Sequence, residues 1–338
     1  MKKFVNKFLI FVSPFIIFII FLLLIDVYKV FGSYDNYYDN SFIELNREMV
    51  TTRTYSNYRK KEKFNSFIFG SSRSQAFKCE EWIKYLDKNT RPFHFDAHGE
   101  GIYGIAKKVE YIDKLGDSIG NALLILDRTI LNTTVNRNKK HLSISPYELS
   151  GESKFKYYFT FLKAQINYNF LIAYIDYSIF KTHRDYMDGI INKKKYQNKI
   201  NIENCDIWYG NDQDIKIDSI GYYKTLIDKG VFYNRPVEKK WKCEITDLEI
   251  SQLKLIKEIF NSHNTNYKIV ISPVYDQIPM EKEQLDLLIN IFDEENIFNF
   301  SGKNDFSESI TNFYEDSHYR PVVANEILKA IYSKTKFK

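Results

Sequence analysis

The chain has 338 residues, of which 44% are hydrophobic, so it is long enough to bury the core of one large domain or two small ones. Its formal net charge at pH 7 is +5, and Lys2, Lys3 and Lys7 carry three of these charges. The rest of the chain is therefore nearly balanced in charge and has no basic stripe, which argues against a nucleic-acid partner.

The first element along the chain is an apolar segment of 18 residues, 8–25, which only Ser13 and Pro14 interrupt. As a helix it would extend about 27 Å, close to the thickness of the hydrocarbon core of a bilayer. Lysines precede it and aspartates follow it, so the positive-inside rule predicts a single-pass membrane protein with a cytoplasmic amino terminus and an extracytoplasmic main domain. A cleaved signal peptide is the alternative, but the lack of a small-x-small cleavage motif after the segment favours an uncleaved anchor.

Hydropathy and charge divide the chain into three parts. Residues 1–32 comprise the cytoplasmic tip and the transmembrane anchor. Residues 33–60 are polar and rich in tyrosine, and they are predicted to be a connector with a short helix near 42–49. Residues 61–338 are predicted to form the folded domain, which an insertion interrupts at about 140–240.

Strands and helices alternate through the folded domain. The predicted strands cover residues 65–69, 93–97, 122–127, 267–272 and 297–300. The predicted helices cover residues 74–87, 102–115, 247–262, 282–291 and 322–332. This alternation predicts an α/β fold in which a parallel sheet is covered by helices on both faces. Within the insertion, aromatic residues at helical spacing predict helices over 155–180, and residues 201–236 are expected to be irregular with short strands.

Two segments at opposite ends of this alternation carry reactive side chains. Gly70 ends the first predicted strand and two serines follow it, which places a hydroxyl group at the carboxyl edge of the sheet. Near the other end, His318 follows Glu315 and Asp316 and precedes the last predicted helix. A serine needs a neighbouring base to become a nucleophile, and an acid orients that base. Alternatively, a serine only caps the next helix and His318 is a hydrogen-bonded loop residue, but the order of the two segments favours catalysis.

The Gly-Ser-Ser turn, followed much later by the Glu-Asp-Ser-His loop, resembles the SGNH (GDSL-type) hydrolase and acyltransferase superfamily. The resemblance implies a flavodoxin-like three-layer sandwich with Ser72 as the nucleophile, since one residue separates the nucleophile from the glycine of the motif. It implies that His318 is the base and that Glu315 replaces the family's aspartate, with Asp316 as the other candidate for the acid. It also implies that Ser72 and Gly101 donate amides to the oxyanion and that no metal ion or organic cofactor takes part. Alternatively, the segment around Gly101 is a glycine-rich turn that binds no ligand.

The third predicted strand departs from the family pattern. The family often carries a Gly-x-Asn-Asp turn there, whose asparagine completes the oxyanion hole, whereas Asp127 and Arg128 follow this strand. An ionised Asp127 cannot donate a hydrogen bond, although Arg128 or Asn132 could. The departure fits diverged, membrane-anchored members better, some of which move acyl groups on surface glycans.

The resemblance and the predicted location together imply an extracytoplasmic serine esterase or O-acyltransferase, such as an acetyltransferase. Its substrate would be an acylated cell-envelope glycan or a small ester, and its membrane contact would be residues 8–25. The alternative is a catalytically weak, SGNH-like binding or scaffolding subunit of surface-polysaccharide assembly. The missing asparagine and the replacement of aspartate by Glu315 favour this alternative.

The three cysteines are Cys79, Cys205 and Cys243, and none belongs to a CxxC pair, which argues against a structural zinc site. Cys79 falls within a predicted helix and is interpreted as a small buried apolar residue. Cys205 and Cys243 flank one irregular segment of a chain that is predicted to enter an oxidising compartment. We therefore expect a disulfide bond between these two.

Overall fold

The chain divides into two units. The structure is a computed structural model that describes residues 1–37, 42–137, 140–192, 202–205, 209–235 and 245–333. The first unit combines residues 1–50 with 137–196, and the second combines residues 51–136 with 197–338. The predicted insertion is thereby divided between them, because its first part joins the amino-terminal segment and its second part belongs to the other unit.

Helices and strands are numbered here in chain order. The α-helices are α1 (Lys2–Ile25), α2 (Arg47–Glu62), α3 (Cys79–Trp82), α4 (Ile102–Lys114), α5 (Arg128–Leu131), α6 (Tyr147–Ser150), α7 (Lys154–Gln165), α8 (Tyr168–Phe180), α9 (Tyr209–Ile217), α10 (Ser219–Asp228), α11 (Asp247–Ser262), α12 (Lys282–Phe292), α13 (Asp305–Glu308) and α14 (Pro321–Tyr332). The strands are β1 (Ser66–Gly70), β2 (Pro92–Asp96), β3 (Asn121–Leu126), β4 (Asn266–Ile271), β5 (Ile297–Asn299), β6 (Phe313–Glu315) and β7 (His318–Tyr319). Short 3-10 helices cover Ser72–Ala76, Ile83–Tyr85, Asp185–Met187, Glu294–Asn296 and Ile310–Asn312.

The second unit contains a parallel sheet with the strand order β2-β1-β3-β4-β5. Each strand begins and ends within one residue of its predicted bounds. The prediction of an α/β fold around a parallel sheet is therefore confirmed. Strands β6 and β7 form a separate antiparallel pair, and this hairpin carries the predicted histidine loop.

Both faces of the sheet are covered by other elements. Ile68 of β1 and Leu123 of β3 belong to one core cluster with Ile327 of α14. Successive side chains of a strand point to opposite faces, and the neighbouring Phe67 packs on the other side. Its ring lies 5.8 Å from that of Tyr55 on α2, measured between centroids. Since β1 and β3 are parallel neighbours, their carboxyl ends meet at one edge of this layered core.

The helix that was predicted over residues 74–87 is broken in the structure. Its place is taken by two 3-10 helices with α3 between them. Phe77 has extended backbone angles, φ −82° and ψ 106°, which end the first of these turns. Ser74 Oγ donates a hydrogen bond to the carbonyl of Ser71 at 2.7 Å. Such local bonds compete with the backbone hydrogen bonds of an α-helix, so short turns rather than one long helix carry the apolar side chains of this segment.

Two segments that were predicted to be largely irregular are helical. The predicted connector contains most of α2, and the segment 201–236 contains α9 and α10. The sequence of α2 has no apolar periodicity, and its buried residues, such as Tyr55, acquire their surroundings only from distant parts of the chain. Tertiary packing stabilises helices of this kind, and a pattern within the helix does not reveal it.

The first unit contains α1 and the first part of the insertion, with helices α6, α7 and α8. Helix α1 is long and apolar enough to span a bilayer, with a mean hydropathy of 3.2 over its most apolar window. An amino-terminal signal sequence has the same properties. The predicted helices over 155–180 are present as α7 and α8. The ring of Tyr28 packs between them, with centroids 5.8 Å from Phe161 and 5.3 Å from Phe170.

The disulfide bond of the structure joins Cys79 to Cys205, with Cα atoms 5.8 Å apart. The prediction of a bond between Cys205 and Cys243 is therefore wrong, and Cys243 lies outside the described residues. Backbone pairing with β2 explains the observed partner. The Glu203 carbonyl accepts from the amide of His94 at 2.9 Å. Cys205, two residues later, therefore lies near Cys79, the first residue of α3.

We expect substitution of Cys79 or Cys205 by Ser to destabilise the protein by about 2–4 kcal/mol, because the bond closes a long loop in the unfolded chain. Peptide mass spectrometry without reduction is expected to recover a peptide that links these two cysteines. The same linked peptide should persist in Cys243→Ser, which serves as the control. Recovery of a peptide joining Cys205 to Cys243 would contradict the assignment.

Candidate active site

The turn after β1 is built around the close approach of Gly70 to strand β3. A Cβ atom at this position would lie 2.8 Å from the carbonyl oxygen of Ile125 and 2.9 Å from Cβ of Ser74. Real Cβ atoms do not approach backbone that closely, so only glycine fits. The chain therefore leaves the sheet directly beside β3, and the serines that follow lie at the carboxyl end of two adjacent central strands.

The two serines of the turn have different roles in the structure. Ser71 is the N-cap of the 3-10 helix, and its hydroxyl accepts from the amide of Arg73 at 3.5 Å. Ser72 is the first residue of that helix, and its hydroxyl lies 2.7 Å from Nε2 of His318. The sequence left open whether a serine here caps a helix or serves as a nucleophile. The capping role belongs to Ser71, and the contact with the predicted base belongs to Ser72.

The spacing of Glu315 and His318 follows from the β6–β7 hairpin. These two residues are paired across the hairpin, and a two-residue turn joins them. A carboxylate oxygen of Glu315 also accepts the amide of Ser317 at 2.8 Å, which closes the turn. Side chains of directly opposed residues in an antiparallel pair lie close together. The hairpin thus brings the acid and the imidazole into contact.

A continuous chain of hydrogen bonds joins Ser72, His318 and Glu315. Nδ1 of His318 contacts Oε1 of Glu315, and Nε2 contacts the Ser72 hydroxyl. Burial raises the pKa of Glu315, but the hydrogen bond and charge of His318 outweigh it, so this pKa lies below its ordinary value. An ionised Glu315 can only accept, which fixes the proton on Nδ1 of a neutral imidazole. The lone pair on Nε2 then faces the Ser72 hydroxyl.

Asp316, the other candidate for the acid, has different surroundings. Its carboxylate accepts from the hydroxyl of Ser317 at 3.3 Å. Burial raises its pKa above the ordinary value, and the neighbouring Glu315 adds to the shift. The observed partner of the imidazole Nδ1 is Glu315, at the position that the sequence motif indicates for the acid.

Arg73 connects three segments of the site, although the sequence analysis gave it no role. Its Nε donates to the carbonyl of Ser317 at 2.8 Å, and its Nη1 donates to Oδ2 of Asp127 at 2.5 Å. The guanidinium group therefore ties the serine turn to the histidine hairpin and to the carboxyl end of β3. Charge-assisted bonds of this planar group are directional, which suits it to fixing the geometry of neighbouring segments.

Asp127, which directly follows β3, is a structural anchor. It is 3% exposed and is the N-cap of α5, since it accepts from the amides of Thr129 and Ile130 at 2.7 and 3.2 Å. Burial raises its pKa, yet the charge of Arg73 and the bonds from Thr129 outweigh this, so the pKa is lowered. The next residue, Arg128, donates to the carboxylate of Asp276.

Gly101 lies in a crowded loop before α4. A Cβ atom here would lie 2.3 Å from Cβ of Thr133, so close packing alone requires glycine. Its amide donates to the carboxylate of Glu100 at 3.3 Å, and Glu100 forms a buried ion pair with Lys108. The amide is thus engaged within its own loop, and its role as an oxyanion donor stays a prediction.

A second serine–histidine contact braces the turn from within the core. The hydroxyl of Ser74 lies 2.8 Å from Nε2 of His94 on β2, and both side chains are buried. Because Ser74 also donates to the Ser71 carbonyl, this pair fixes the backbone just before the nucleophile candidate. No sequence signal distinguishes it, since a histidine inside an apolar strand has no recognisable motif.

Comparison of the chain with protein-family models gave no match, and comparison with curated proteins gave none either.

We expect Arg73→Ala to destabilise the protein by about 3–5 kcal/mol at pH 7, because it leaves the carboxylate of Asp127 buried without its partner. The lowered pKa of Asp127 means that its contribution to stability is present above its unfolded pKa of about 3.9 and is lost as the pH falls through the folded value. In the variant, burial raises this pKa instead. The difference in the free energy of unfolding between wild type and Arg73→Ala should therefore shrink as the pH falls from 7 toward 4.

Denaturant unfolding of the full chain in detergent at several pH values measures this effect. The double variant Arg73→Ala with Asp127→Asn removes the unpaired charge but keeps the capping oxygen, so it should recover part of the lost stability. Lys84→Ala, which breaks an exposed pair with Glu81, is the control and should change stability by less than about 0.5 kcal/mol. An Arg73→Ala effect as small as that of Lys84→Ala would refute the anchoring role.

Proposed function

We propose that the chain is a serine esterase or acyltransferase that works through Ser72, His318 and Glu315. The observation that carries the proposal is the uninterrupted chain of hydrogen bonds from the Ser72 hydroxyl through the imidazole to the Glu315 carboxylate. Serine nucleophiles are activated by such a base, which a third group orients. The position of Ser72 after a central strand is where α/β sheets carry their sites.

In this mechanism Ser72 attacks the carbonyl carbon of an ester, and Nε2 of His318 takes the hydroxyl proton. Glu315 stabilises the imidazolium ion that forms and keeps the ring in the productive orientation. The tetrahedral intermediate then expels the alcohol, which receives the proton from His318. An acyl group remains on Ser72, and water or a second alcohol removes it in the reverse sequence of steps.

The oxyanion requires hydrogen-bond donors near Ser72. As the first residue of a 3-10 helix, Ser72 has an amide without an acceptor inside that helix. We assign this amide as the first donor, and the amide of Gly101 remains the proposed second one. Asp127 does not fit the role, since it is the N-cap of α5 and its carboxylate accepts the amide of Thr129. If Asp127 replaces one donor of the family's oxyanion hole, the chemical step would be slower.

We further propose an SGNH-type fold and an extracytoplasmic acylated glycan as the substrate. The strand order β2-β1-β3-β4-β5, the serine turn after β1 and the acid–histidine hairpin before the last helix support the fold assignment. The apolar helix α1 with lysines at its start supports export and anchoring. An exported esterase or transferase would meet the acylated polymers of the envelope.

A second candidate function is a binding or scaffolding subunit of surface-polysaccharide assembly. The observation that favours it is the use of Asp127 as a buried anchor at the position of the family's oxyanion asparagine. A protein of this kind would hold a glycan without turning it over. The labelling experiment below distinguishes the two functions.

We expect a fluorophosphonate probe to label Ser72 in the full-length protein, because the adjacent imidazole raises the reactivity of its hydroxyl. Labelling, followed by peptide mapping, should be lost in Ser72→Ala and in His318→Ala. It should persist in Ser71→Ala, the matched control, which loses only a cap worth about 0.5–2 kcal/mol. Label on Ser71 would reverse the assignment, and a folded protein without label would favour the scaffolding function.

The two acids of the hairpin offer a second test. Glu315→Gln should lower kcat for a simple acetyl ester by roughly 10³–10⁴-fold, because a neutral amide neither fixes the tautomer nor stabilises the imidazolium ion. Asp316→Asn, on the neighbouring residue, should change kcat only within a few-fold. Comparable losses in both variants would mean that the acid is shared, and a loss in Asp316→Asn alone would make Asp316 the catalytic acid.

A further inference from the structure

Helices α7 and α8 of the first unit each expose a row of large apolar side chains. They recur every three or four residues along each helix, which places them on one face. We refer to this set as the α7–α8 surface: Phe155, Phe159, Tyr168, Ile172, Ile175 and Ile179. The exposed fraction reaches 80% at Phe155 and 66% at Ile179.

The opposite face of each helix is also apolar and is already buried. Phe161 of α7 and Phe170 of α8 belong to the core of the first unit. Both helices are therefore apolar on two sides, whereas a surface helix in water is polar on the side away from its core. Exposed apolar side chains in such number mark interaction sites, so we expect a second apolar environment to cover the α7–α8 surface.

The end of α1 is fixed within the same unit. Asp26 follows the helix, and its buried carboxylate accepts from the amides of Val30, Phe31 and Gly32 at 2.7, 2.8 and 2.9 Å. The last turn of α1 is buried at Leu22. Helix α1 also contacts α7 directly. Helix α7, which carries part of the α7–α8 surface, thus contacts the one described helix that is long enough to span a membrane.

The lengths of both helices and the charges of α7 suit the plane of a membrane rather than its interior. They contain 12 and 13 residues, which extend about 18–20 Å and are too short to cross the hydrocarbon core. Helix α7 carries three lysines and no acidic residue. Lysines beside aromatic and aliphatic side chains are typical of helices that lie at a lipid headgroup boundary.

We propose that the α7–α8 surface rests in the headgroup region of the bilayer that α1 spans. The first unit then contacts the membrane twice, once through α1 and once through this surface, and its orientation to the bilayer is fixed. The occupant is a lipid surface because α7 contacts the membrane helix α1 and carries lysines beside its exposed aromatic residues. This inference is independent of the proposed chemistry at Ser72.

The test uses the full-length chain with Cys243→Ser, reconstituted into phosphatidylcholine–phosphatidylglycerol vesicles. A bimane label is attached to Phe159→Cys or Ile175→Cys, and to Lys224→Cys as an exposed control on α10. Doxyl lipids are expected to quench the first two labels several-fold more than the control. Iodide in the aqueous phase should quench them less than the control.

A further variant separates membrane contact from a change of fold. Phe155→Glu with Phe159→Glu alters only exposed side chains, so the protein should stay folded, while lipid quenching at Ile175→Cys should fall. Iodide access equal to that of Lys224→Cys overturns the proposal. Labels that are shielded from iodide but unquenched by lipid overturn it in favour of a second copy or a protein partner. Release of the chain from the vesicles by carbonate also overturns it, because α1 would not span the bilayer.

Discussion

The guanidinium group of Arg73 is the contact on which the geometry of the site depends. It binds the backbone of the histidine hairpin at Ser317 and the buried carboxylate of Asp127 at the end of β3. Arg73 itself directly follows Ser72, so one side chain sets the distance between the serine turn and the imidazole. A buried ion pair is costly to form and more costly to break on one side. Its value here is therefore positional precision rather than net stability.

Structural and proposed catalytic roles are also closely combined in the rest of the site. Neighbouring serines divide capping and contact with the base between them, with Ser71 in the first role and Ser72 in the second. In the hairpin, Glu315 accepts both the imidazole and an amide of the turn, so the residue that orients His318 also shapes the loop. Substituting Glu315 would consequently disturb the turn of the hairpin as well as the proposed chemistry.

Much of the sheet and both ends of the site could be predicted from the sequence. Strands such as β1 and β3 are buried on both faces and are thus continuous apolar runs, which local patterns reveal. The Arg73–Asp127 pair and the Cys79–Cys205 bond join residues 54 and 126 positions apart, so only the folded chain specifies them. The helical state of α2 was missed for the same reason, because Tyr55 finds its aromatic neighbours in distant strands.

The segment that leads to Cys205 has a consequence for the behaviour of the protein before it is fully folded. Strand β2 is at the edge of the sheet. The Glu203 carbonyl accepts from the amide of His94 on this strand, and the side-chain amide of Asn204 donates to the His94 carbonyl. An uncovered border strand is a template for strand addition by another molecule, and hence for aggregation. The disulfide at Cys205 holds this cover in place. Oxidation of the thiols therefore supports the segment that protects β2 against intermolecular β-pairing, and a reducing environment removes that support.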